Sequence, residues 1–186
     1  MALENIPLSG ICSAQSGFCY ILTIMKKSEE DEMGVLMARV SALEDRAAII
    51  DLLTSYGPAI DAGDPDAVAR LWTEDGVYDV DTGLMRGRRE IEEMVRGEMH
   101  QDFIRNGCAH VLETPHIRID GDVAVATGKS LLVTRSGGDG KFTVHRATAN
   151  RWELVRTSEG WRCSKRVGRL LDSRPESRQL LQDGLE

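Results

Sequence analysis

Apolar residues recur at three- and four-residue steps from Leu43 through Ala47, Ile50 and Leu53 to Ile60, with Ile49, Leu52, Tyr56 and Ala59 widening the stripe. That period predicts a long amphipathic helix. Ser41-Ala-Leu-Glu44 places a hydroxyl three residues before a Glu at its start, a capping box, and Gly63 ends it. Asp64-Pro65-Asp66 then supplies an N-cap, a first helical position and a first-turn acid for a short second helix carrying Val68, Leu71 and Trp72. Thr73–Gly76 reads as a turn, Val77–Val80 as a short strand and Asp81-Thr82-Gly83 as a hairpin turn. Ile91, Met94, Val95, Met99 and Phe103 give a third helix from Arg88 to about Phe103.

Beyond this point the period becomes that of strands. His110–Asp120, Asp122–Ser136, Lys141–Arg156 and Trp161–Leu171 are separated by the turns Asp120–Asp122, Ser136–Gly140 and Ser158–Gly160. Hairpin-linked strands are antiparallel neighbours, and a sheet of that length coils. The expected fold class is therefore α+β: three N-terminal helices packed in a curved antiparallel sheet that closes round a small-molecule pocket. Residues 39–172 form the domain, 1–38 a poorly ordered extension with Met25, Met33 and Met37 as alternative starts, and 173–186 a C-terminal tail of little order.

Composition narrows the function without naming it. The chain of 186 residues fits one domain with tails, and 41% apolar with 28% charged residues is ordinary for a globular protein. A net charge of −7 argues against nucleic acid or an anionic membrane as the main partner. The first 25 residues hold no Lys or Arg, so the basic region of a secretory signal is missing, and the apolar run Phe18–Met25 is too short to span a bilayer. Cys12, Cys19, Cys108 and Cys163 show no metal-ligand spacing and read as free thiols of a cytoplasmic protein. No dinucleotide, P-loop, nucleophile-elbow or zinc-protease motif occurs, so neither a cofactor nor a metal is expected.

Leu43-Glu-Asp-Arg-Ala-Ala-Ile-Ile-Asp-Leu-Leu, Tyr56, Asp61-Ala-Gly-Asp and Leu71-Trp72-Thr-Glu-Asp-Gly resemble the SnoaL-like branch of the nuclear-transport-factor-2-like superfamily. So do Ala109-His110, Ile119-Asp-Gly-Asp-Val-Ala-Val-Ala and Gly160-Trp-Arg-Cys-Ser-Lys-Arg166. The resemblance implies a cone-shaped α+β barrel, and a family holding dehydratases, isomerases, cyclases and dehydrochlorinases beside non-catalytic subunits, so it does not fix the function.

Asp61 lies at a helix C-terminus, where the macrodipole disfavours a carboxylate. It matches the pocket Asp of scytalone dehydratase and of lindane dehydrochlorinase, and His110 matches the histidine that pairs with it there. Such a pair fixes the imidazole tautomer and stabilises the imidazolium formed on proton abstraction. Thr114 stands where many relatives have Asn. Arg166, which the resemblance places inside the cone, would hold developing negative charge. Strand parity puts Arg146, Thr148, Asn150 and Trp152 on one face, and Lys129, Leu131 and Val133 on one face of the neighbouring strand; the family comparison favours these as pocket walls. Tyr56, Trp72 and Tyr78 are candidate apolar walls. Val123, Val125, Thr143 and His145 fall on the outer face and predict a homo-oligomer, most simply a dimer. The leading expectation is a cofactor-free lyase or isomerase acting on a small apolar carbonyl- or hydroxyl-bearing ligand. The alternative is a binding or structural subunit of the same fold.

Overall fold

The computed structural model describes residues 11–135 and 140–185, and side chains from Met25 onward except Ser28. Helix α1 runs Ile11–Thr54, so Ser41 is interior to a helix and caps nothing. The run Lys26–Glu32 is built mainly of strong helix formers and carries a Lys26–Glu30 ion pair one turn apart, which suits helix rather than coil. The extension expected over 1–38 is thus helical from Ile11, and residues 1–10 lie outside the described residues. The chain divides into two units, Met1–Asp45 and Arg46–Glu186, and the fold that positions the site belongs to the second.

Pro58 has no N–H to give the carbonyl of Thr54, and the helix breaks there. Ser55 separates α1 from α2 (Tyr56–Asp61), its hydroxyl turned back 2.7 Å to the carbonyl of Leu52. Ile49, Leu53, Tyr56 and Ile60 are the buried stripe across this break, whereas Leu43 is exposed. Asp64 caps α3 (Pro65–Ala69) as expected, accepting from the Ala67 N–H at 2.8 Å. Trp72 opens strand β1 (Trp72–Val80), so the expected turn at Thr73–Gly76 is an irregularity within a strand. After β2 (Gly83–Arg86), the predicted third helix is two, α4 (Gly87–Arg96) and α5 (Glu98–Asn106), broken at Gly97.

Pro115 splits the first long strand into β3 (Cys108–Leu112) and β4 (His116–Asp120), both paired with β5 (Val123–Arg135). Strands β6 (Phe142–Thr157) and β7 (Gly160–Leu170) complete a sheet ordered β2-β1-β7-β6-β5-β3. The sheet is mixed: β1 lies parallel to β7, and the other pairs are antiparallel. Residues 136–139 of the predicted Ser136–Gly140 turn lie outside the described residues. The tail expected to carry little order forms α6 (Pro175–Asp183), begun by Pro at its first turn and packed on β6.

Two bulges decide what faces the core. Between β5 and β6, Leu132 pairs with Arg146 and Val133 with Val144, so His145 is the extra residue. Between β6 and β7, Glu153 pairs with Lys165 and Leu154 with Cys163, so Ser164 is extra. Strict alternation would put Arg162 and Ser164 beside Arg166; the bulge instead brings Trp161 and Cys163, both buried, to that side. The inner rows are then Ala126–Trp152–Arg166–Tyr78 and His110–Leu132–Arg146.

Candidate functional site

Gly57 makes the site possible. A Cβ there would stand 2.5 Å from the carbonyl oxygen of His110, so only glycine lets α2 lie directly on β3. One turn later Asp61 ends α2 against the same residue. Its Oδ2 accepts the backbone N–H of His110 at 2.8 Å, and its Oδ1 lies 2.7 Å from Nδ1 of the imidazole. Two bonds from one carboxylate to one residue fix the ring and put its proton on Nδ1, which leaves Nε2 as the basic nitrogen. Burial pushes the His110 pKa down, the Asp61 bond and charge pull it up, and Arg166 pushes it down; the net direction is downward. His110 is therefore neutral and competent as a base near pH 7.

Arg166 lies on the inner face of β7, 3% exposed. Its Nε and one terminal nitrogen donate to the Asn150 carbonyl at 3.1 and 2.8 Å. Asn150 is fixed in turn by donating to Ser130 Oγ at 2.9 Å. Three rings surround the guanidinium, with Trp152 at 4.1 Å, Tyr56 at 4.4 Å and Tyr78 at 4.7 Å from its carbon. The Tyr56 hydroxyl is held neutral, its pKa raised by burial and by Tyr78 against the opposing pull of Arg166.

These groups border a cavity of about 200 Å³ lined by Tyr56, Tyr78, His110, Arg166 and Arg146 together with Met85, Met94, Phe103 and Leu132. A larger groove of about 490 Å³ lies on the opposite sheet face, by Val123 and Val125, away from any acid–imidazole pair. The smaller cavity is the one with convergent polar groups on apolar walls.

The remaining expected wall residues divide. Arg146 reaches the cavity and pairs with Asp81. Lys129 and Leu131 pair with Ala149 and Ala147 on the other face, so the inward residues of β5 are Ser130 and Leu132; Lys129 meets Glu113 at 3.5 Å instead. Trp72 is fully buried in the core between Tyr56, Tyr78 and Trp152 and does not line the cavity. His145, expected on the outer face, lines the cavity because of the bulge and meets Phe103 at 5.3 Å. His100 is a wall residue the sequence reading passed over, although it lies three residues before Phe103 on the apolar face of its helix. Its ring is nearly parallel to that of His110, at 6.2 Å between centroids, and its Nδ1 is buried without a partner. Burial, reinforced by His110, brings the His100 pKa down to about 4.

Cys108 completes a group the spacing did not reveal. Its Sγ is 3.5 Å from Asp61 Oδ1, and the ligand atoms of Asp61, Cys108 and His110 lie within 4.8 Å of one another. Burial and Asp61 push the thiol up to about 11, so it is protonated at neutral pH. The 2.7 Å between Asp61 and His110 is a hydrogen bond, tighter than two ligands sit round one zinc ion with bonds of about 2.0–2.2 Å.

Residues 41–167 match the profile of the SnoaL-like domain. The chain belongs to the SnoaL-like family. The SnoaL-like chain is also similar to an NTF2-like protein with a cystatin-like fold from Novosphingobium aromaticivorans, at 40% identity over 79% of this chain and 95% of that one, with a TM-score of 0.76. Two further neighbours share the fold. One is an NTF2-like superfamily protein from Salmonella enterica, with 19% identity, 68% and 91% of the two chains covered, and a TM-score of 0.58. The other, from Catenulispora acidiphila, was solved in complex with S-DNPA, with 22% identity, 75% and 98% covered, and a TM-score of 0.60. No curated protein matches this chain. Among the described residues of this SnoaL-like chain, no helix is long and apolar enough to cross a membrane.

Proposed function

We propose that this SnoaL-like protein is a cofactor-independent lyase or isomerase that abstracts a proton from a small carbonyl- or hydroxyl-bearing substrate. The observation that carries the reading is the doubly hydrogen-bonded Asp61–His110 pair beside a cavity that also holds a buried guanidinium. In this reaction Nε2 of His110 takes a proton from carbon next to the substrate carbonyl, and Asp61 stabilises the resulting imidazolium. Arg166 holds the charge that develops on the substrate oxygen. Dehydration or elimination follows if a hydroxide or halide leaves the adjacent carbon; isomerisation follows if the proton returns to a different carbon. No electrons enter or leave, so the step balances without a redox carrier.

The test is an NMR assay over single-ring β-hydroxy ketones, β-halo ketones and β,γ-enones, run with the parent, His110→Ala and Asp61→Asn. Turnover of one class by the parent, lost in His110→Ala and reduced in Asp61→Asn, is the expected result. Binding of these compounds without turnover identifies a non-catalytic binding protein and refutes the enzyme.

A further inference from the structure

Two residues that line the cavity each carry a buried polar atom without a hydrogen-bond partner, Nη1 of Arg166 and Nδ1 of His100. The first is the more telling. Arg166 is 3% exposed, and the side chains that hydrogen-bond it among the described residues are neutral, the Asn150 amide and the Tyr56 hydroxyl. Among the described residues no carboxylate pairs with it, although most other arginines of the domain have one. The ring faces round it attract the cation without neutralising it, and a buried charge with no counter-charge is costly. Arg146, the other cation of the cavity, is already engaged by Asp81. Asp61 is turned to His110 and does not line the cavity.

We propose, resting on the proton-transfer reading of this same site, that the substrate brings the missing charge: it is a single-ring organic monoanion. Its ionised oxygen, a carboxylate or an acidic enolate or phenolate, accepts from Nη1 of Arg166. A second polar group meets Nδ1 of His100, beside the proton-accepting imidazole. The ring lies against Met85, Met94, Phe103 and Leu132. At about 200 Å³ the cavity lies below the roughly 300–1,000 Å³ of sites for drug-sized ligands and suits a small one, a single ring with short substituents. His100 suits its part because burial keeps it neutral, so it offers either a lone pair or an N–H to a hydroxyl. Arg166 thus anchors the ionised oxygen of the substrate on binding, in addition to holding the charge that develops beside it as the proton leaves, and specificity follows from charge before chemistry begins.

The test uses benzoate and benzamide, nearly the same shape but charged and neutral, with the three hydroxybenzoates as a second series, titrated by ligand-observed NMR. The parent binds benzoate at least tenfold more tightly than benzamide, and Arg166→Gln brings that ratio to about one. Should Arg166→Gln fail to fold, Asn150→Asp gives the guanidinium an internal counter-charge and must also abolish the preference. One hydroxybenzoate binds more tightly than benzoate, and His100→Phe removes that gain. His110→Ala keeps the benzoate preference, so a parent that prefers benzoate yet turns over nothing refutes the proton-transfer reading alone. Equal affinity for benzoate and benzamide, no binding of either at millimolar concentration, or a preference that survives both Arg166→Gln and Asn150→Asp overturns the proposal.

Discussion

Replacing Asp61 by Asn changes one oxygen to an amide nitrogen and should reverse the chemistry of His110. The backbone N–H of His110 needs an acceptor at 2.8 Å, so the Asn oxygen takes the place of Oδ2 and its NH₂ faces Nδ1 of the ring, where Oδ1 stood at 2.7 Å. Nδ1 must then accept, and the ring proton moves to Nε2, the nitrogen required as base. With an NH₂ facing Nδ1 the imidazolium has no acceptor there, so a charged hydrogen bond of about 1.5–3 kcal/mol is lost whole, roughly 2 kcal/mol or about thirtyfold in rate. Loss of the Nε2 lone pair adds to this, and the combined fall in kcat should be about 10³–10⁴. The folded state, which keeps one acceptor for the backbone, should lose only about 1 kcal/mol. The assay is long-range ¹H–¹⁵N NMR of the histidines across pH 4–8. The expected result is an Nδ1–H tautomer in the parent, Nε2–H in Asp61→Asn, and a His110 pKa lower still, because the group that raises it is gone. An unchanged tautomer and titration in the variant would refute the reasoning.

Gly57→Ala introduces a Cβ at 2.5 Å from the His110 carbonyl. Overpacking of about 1–3 kcal/mol outweighs the gain in helix propensity of about 1 kcal/mol, so Tm should fall and activity fall further as Asp61 moves off His110; a higher Tm with full activity would contradict this. His100 has a folded pKa of about 4 against about 6.5 unfolded, so the unfolded chain binds the extra proton. Its contribution is intact above about pH 6.5 and is lost as pH falls toward 4, by up to roughly 3 kcal/mol. Urea unfolding of the parent and His100→Phe across that range should show a shallower pH dependence in the variant. Asp64→Ala removes a cap bond of 2.8 Å and should cost about 1 kcal/mol. Ser41→Ala, inside α1, should raise helix stability by a few tenths of a kcal/mol, as expected of a residue that caps nothing.

The sequence is most legible where chemistry is local. Asp64-Pro65-Asp66 states its own cap, and the buried stripe from Ile49 to Ile60 follows from helical period alone. Asp61, His110 and Arg166 are recognisable through family resemblance, and the structure brings all three to one region. What misleads is the assumption of unbroken period. Lys129 and Leu131 face away from the cavity because alternation alone leaves the parity of β5 open, and only tertiary pairing settles it. His145 and Ser164 are bulges, and one extra residue inverts every assignment beyond it. The break at Ser55 was signalled by Pro58, and the division at Gly97 by glycine within a helical run. The parallel β1–β7 pair joins segments some eighty residues apart and has no local signal at all. His100 shows that a polar residue on the apolar side of a helix merits weighing as a wall of the site.

Deuterium wash-in at the carbon next to the carbonyl of a bound single-ring ketone, followed by NMR in D₂O, tests proton abstraction by the Asp61–His110 pair most directly. The parent should exchange that position far faster than buffer does, with exchange reduced in Asp61→Asn and at the buffer rate in His110→Ala. Equal wash-in by the parent and His110→Ala would contradict the assignment of His110 as the base.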